Sequence, residues 1–224
     1  MTALLRYQFA VLVRSHRWIL PLIGYALLLA VGGAAGATRA AGPVGQSLAS
    51  GLDWSAAILV PVAAVLTRSM LTAEPGAARA CIATACSASR AQLASLITAF
   101  GAGVVLGLVG ACYEVLTSSH KAGLLTPLVT GLGTALICAL VGSAVGALFN
   151  PPLIRHPAVA LLCTIAAVIL AWVARISPAN AALRGNGALV HSVAWPAGLP
   201  LAAALVLVAA AWAASCWLAG RRGE

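Results

Sequence analysis

Asp53, Glu114 and Arg175 are ionisable residues that fall at the edges of long apolar runs in this 224-residue chain. Charges at membrane depth pair or line a water-filled path, so the three read as a polar cluster at the outer mouth of a translocation route. The alternative is that each meets water in the headgroup layer. Enzyme chemistry is thinly provided for. No G-x-x-x-x-G-K-[ST] occurs, and Lys121 is the sole lysine, so the chain has no phosphate-cradling loop of its own. H-E-x-x-H and G-x-S-x-G are absent too, which removes the simplest intramembrane protease and hydrolase chemistries. Cys81 and Cys86 are spaced C-x4-C with no nearby histidine or second cysteine pair. That falls short of the roughly four ligands a tetrahedral zinc takes, and no metal or other cofactor is expected. Cys112, Cys138, Cys163 and Cys216 lie inside apolar runs, where a thiol behaves as a small hydrophobe.

Whatever these side chains do, helices in lipid must position them. Hydrophobic residues make up 62% of the chain and charged ones 8%, far from the make-up of a soluble domain. Continuous rather than alternating apolar runs select helices over a barrel, because lipid offers backbone groups no water to bond. The fold class is therefore all-α: a single polytopic transmembrane domain over residues 1–224, with six spans. These are expected near 18–37, 48–66, 93–116, 124–149, 158–174 and 199–218, each long enough at the helical rise to cross about 30 Å of hydrocarbon. Pro21 falls in the first turns of span one, where a missing donor costs little, whereas Pro61 is set to bend span two. Gly103-x3-Gly107 and Gly142-x3-Gly146 allow close helix approach, within the chain before between chains.

Three segments do not span. Residues 1–17 are amphipathic, with Leu5, Phe9 and Leu12 on one side and Arg14 roughly opposite, so they lie in the headgroup plane. Residues 67–90, TRSMLTAEPGAARACIATACSASR, carry Arg68, Arg79 and Arg90 against Glu74, and an alanine-rich stretch follows the Pro75-Gly76 break. Residues 175–198 are too polar to span and too apolar for a plain linker, as an outer re-entrant or interfacial segment would be.

Net charge is +9, and the basic residues lie between apolar runs, which fits orientation against anionic headgroups rather than nucleic-acid binding. Arg6, Arg14, Arg17, Arg68, Arg79, Arg90, Arg155, Arg221 and Arg222 fall on one side of the six-span topology, and Arg39, Lys121, Arg175 and Arg184 on the other. The positive-inside rule then predicts a multi-pass protein of the cell membrane with both termini cytoplasmic.

Taken together, the basic amphipathic lead LLRYQFAVLVRSHRWILPL, the loop TRSMLTAEPGAARACIATACSASRAQL and the segment between spans five and six resemble an ABC-2 type transporter permease. The likeness is to the small single-domain permeases of actinobacterial exporters, and it covers essentially the whole chain through hydropathy and charge rather than invariant signatures. It implies a permease subunit, not itself an enzyme, working as a dimer with a second copy or a paralogue and driven by a separate ABC ATPase. It further implies an elbow helix at 4–17 and a coupling helix at about 73–90, with Glu74, Arg79 and Arg90 facing the ATPase. A second contact would lie at the loop holding Arg155. The alternative, without the resemblance, is a stand-alone small channel or a lipid-modifying membrane enzyme.

Overall fold

The computed structural model describes residues 2–38, 44–73, 81, 85, 87–117, 125–149, 156–189 and 198–221. Glu74, Arg79, Arg155 and Cys86, with most of the loop after Ala73, lie outside them. Eight long helices follow one another among the described residues: α1 (Thr2–Ser15), α2 (Ile19–Thr38), α3 (Val44–Leu71), α4 (Ala88–Thr117), α5 (Leu125–Leu148), α6 (Pro157–Val173), α7 (Pro178–Leu189) and α8 (Gly198–Arg221). Five stretches are long and apolar enough to cross a membrane, or six when α1 and α2 count as one bent span. This is an all-helical, multi-pass membrane protein.

The bundle is built around α3 and α5, which pack on each other more extensively than any other pair. The reason is the small face of α5. A Cβ at Gly142 would stand 2.5 Å from the Val60 carbonyl oxygen, and one at Gly146 would stand 2.6 Å from that of Ala64, so the two backbones touch with no side chain between them. Gly107 of α4 likewise admits Leu59 and Ala135. Both glycine pairs are thus spent on packing within the chain. Burial follows the same order: 67% of the apolar stretch of α5 is buried, against 22% for α8, which turns most of its surface outward. Outward-facing leucines, isoleucines and valines on α2, α6 and α8 are what lipid contact requires.

Helix ends are tied at one end of the bundle. α1 meets α2 at a 69° bend, with His16 in the left-handed region at φ 53° making the turn. Arg17 donates to the Thr72 carbonyl at 2.9 Å, fixing that corner to the end of α3. Leu12 of α1 packs with Leu66 and Met70 of α3 and Ala99 of α4, which holds the amphipathic helix against the bundle. Across the same end, Ser89 donates to the Cys216 carbonyl at 3.1 Å. Gln92 donates to the Ser215 hydroxyl at 3.0 Å, joining the start of α4 to the end of α8. Arg221 stacks on Trp217 at 4.0 Å. Arg17, Arg68, Arg90 and Arg221 therefore share one end, the basic end of the bundle.

Residues 175–189 do not form a plain linker. After a break at Ala174–Ser177 the chain re-enters helix as α7, and Ala158–Gly185 reads together as one 28-residue apolar stretch. α7 packs on α3, α5, α6 and α8, with Ala179, Asn180 and Ala182 buried and Arg184 exposed.

Candidate functional site

Polar side chains gather where α2, α3 and α4 meet in the half of the bundle away from the basic end, and each is seated by a glycine or a backbone carbonyl on a neighbouring helix. Tyr25 of α2 is 1% exposed; its hydroxyl donates to the Ser55 carbonyl at 3.5 Å and lies against Gly110 of α4. Trp54 of α3 lays its indole over Gly32 of α2 and donates to the Leu28 carbonyl at 3.1 Å, one turn earlier. Glu114 of α4 presses its carboxylate against Gly51 of α3. A Cβ at any of the three glycines would occupy the space of the polar group it receives. Gly110 and Glu114 are four residues apart, so Tyr25 and Glu114 meet the same face of α4 and lie within electrostatic range of each other.

Glu114 is 8% exposed, buried between α3 and α4. Asp53 is half-buried two residues beyond Gly51, on a different face of α3, within electrostatic range of Cys138 on α5. Arg175 is exposed just past the end of α6, a helix that packs on α3, α5 and α7 rather than on α4. Asp53 and Glu114 thus face different neighbours, and Arg175 lies on a helix that does not pack on α4. At the other end Arg90 is exposed on the first turn of α4, beside the α4–α8 junction.

A second polar junction joins α3, α6 and α7. Trp172 donates its indole N–H to the Ala57 carbonyl at 3.2 Å. That carbonyl is the one Pro61, four residues on, has no N–H to meet. Asn180 in turn donates to the Trp172 carbonyl, an acceptor in the last turn of α6, where carbonyls run out of helical N–H partners. Pro61 is visible in the sequence as a bend, and its freed acceptor is countable there; that a tryptophan 115 residues away meets it is not.

Among the described residues no three His, Cys, Asp or Glu side chains come together as a metal site. Chemically, the α2–α3–α4 junction offers one buried acid, two aromatic rings and hydrogen-bonding carbonyls, which suits binding of a charged or polar group better than covalent catalysis. Compared with protein-family models, curated proteins and solved structures, the chain matches none.

Proposed function

We propose that the chain is the membrane-spanning permease subunit of an ATP-binding cassette transporter, an exporter energised by a separate ATPase at the basic end. The observation that carries the reading is the way helix ends are tied there. The elbow between α1 and α2 is bonded to the end of α3 through Arg17 and Thr72, and the start of α4 is bonded to the end of α8 through Ser89 and Gln92. A force applied to that end reaches four of the long apolar helices, as a machine moved from outside its membrane part requires. In this reading the basic end faces the cytoplasm of the cell membrane, where positive loops remain. Glu74, Arg79 and Arg90 in the loop 67–90, with Arg155 after α5, supply the contacts to the ATPase. A second copy or a paralogue completes the permease.

Two measurements test this. Tagged protein purified from its native membrane should carry with it a P-loop ATPase. Replacing Arg79→Glu together with Arg90→Glu should abolish stimulation of that ATPase by transport while membrane insertion is kept. Normal export by the double variant removes the coupling assignment. Solute movement by the purified chain alone, with no ATPase, replaces the permease reading with that of a stand-alone channel.

A further inference from the structure

Glu114 is the most buried carboxyl side chain among the described residues, and those residues offer it nothing to neutralise it. No described side chain donates a hydrogen bond to its carboxylate. It sits in the last turn of α4, the end at which the helix dipole is negative. Around this junction the helices packed against α4 carry the described titratable groups Tyr25 on α2, Asp53 on α3 and Cys138 on α5, none of them a cation. Arg17, Arg68 and Arg221 lie at the basic end. A buried acid so placed takes up a proton or a cation.

The same stripe of α4 also borders a place for an apolar body, two turns away. Gly107 lies seven residues before Glu114, two turns and about 10 Å along the helix. It lines a crevice with a cavity of about 170 Å³ between α3, α4 and α5, walled by Leu59, Val104, Leu108, Leu132 and Leu136. The wall is almost wholly apolar, and the crevice opens to the outside of the bundle.

We propose that Glu114 anchors a site for amphiphilic cations, alkylammonium compounds whose chain lies along this crevice while the ammonium meets the carboxylate beside Gly51 and the ring of Tyr25. The cation displaces the acid's proton to water, so the site stays neutral in both states. Aromatic faces and a carboxylate are the two groups that hold a quaternary ammonium in an apolar setting. The inference rests on the permease reading only in naming this ligand as cargo. Binding is measured on the isolated chain, so its failure and the failure of ATPase co-purification are separate results.

The full chain is placed in nanodiscs of phosphatidylglycerol, which supplies no lipid ammonium group, and treated with dicyclohexylcarbodiimide, a lipid-soluble reagent for buried carboxyls. Mass spectrometry should find the adduct on Glu114, and octyltrimethylammonium should suppress it while octanol does not. Radiolabelled octyltrimethylammonium should bind saturably, with affinity at least about tenfold weaker in Glu114→Gln and within about twofold of the parent in Arg175→Gln. Labelling of Glu114 that the cation leaves unchanged overturns the proposal, as does absence of the adduct or equal binding by a folded Glu114→Gln. If that variant fails to fold, the labelling of the native chain decides alone.

Discussion

The indole of Trp172 closes the hydrogen bond that Pro61 opens: its N–H donates at 3.2 Å to the Ala57 carbonyl, the acceptor left over in α3. In lipid such an acceptor has no water to turn to, so a residue on α6 completes the backbone of α3.

Trp172→Phe keeps the ring and removes the donor. It should lower stability by about 1 kcal/mol, measured by thermal unfolding in detergent. Pro61→Ala restores an N–H to α3, so the double variant should recover most of that loss. Equal loss in the single and double variants would show that the loss does not come from the unmet Ala57 carbonyl.

The seam between α5 and α3 permits no side chain. Gly142→Val and Gly146→Val each drive a Cβ into backbone, at the Val60 and Ala64 carbonyls, which cannot swing aside. Each should cost about 2 kcal/mol or more. At Gly101 and Gly133 an added methyl would meet nothing within 4 Å, so Gly101→Ala and Gly133→Ala serve as controls with little loss. The yield of monodisperse protein after heating separates the two groups.

Gly32→Ala places a methyl where the Trp54 indole lies. A cost of about 1–3 kcal/mol is expected, because the ring must leave both its seat and the Leu28 carbonyl. Trp54→Ala in the same chain should relieve most of the added strain, which a double-mutant cycle of unfolding temperatures reads directly. Strict additivity would mean that the indole has other room.

Arg17→Ala cuts the bond to Thr72 at the corner of the elbow. The group is exposed, so global stability should change by less than about 1 kcal/mol. Amide exchange along Thr2–Ser15 should nevertheless quicken while that of α5 stays slow. Unchanged exchange in α1 would assign its attachment to Leu12 and its apolar neighbours alone.

Much of the fold is legible in the sequence because hydropathy reports what lipid demands of a span. The helices run past those apolar edges. α3 continues to Leu71 and α4 starts at Ala88, where a hydropathy reading stops near 66 and starts near 93. Hydropathy measures the lipid-facing stretch, whereas Ser89 and Gln92 are held in helix by bonds to α8 that no local pattern announces. The same limit applies to the site. Glu114 stands out as a charge at membrane depth, but its seat at Gly51 depends on how α3 and α4 cross. Arg175 has the same sequence signature and ends up exposed, because depth along the chain says nothing about which helix lies alongside. Tyr25, Trp54, Trp172 and Asn180 carry no sequence signal of their roles, since their partners are backbone atoms, 26 to 115 residues away for the two indoles.

The bare contact of α3 with α5 also decides where this protein can change shape. Two backbones resting directly on one another have no padding to compress, and a slip of either would ram a carbonyl into its neighbour. The pair therefore acts as a keel, and any change of shape falls to the helices hung on its flanks, α8 foremost.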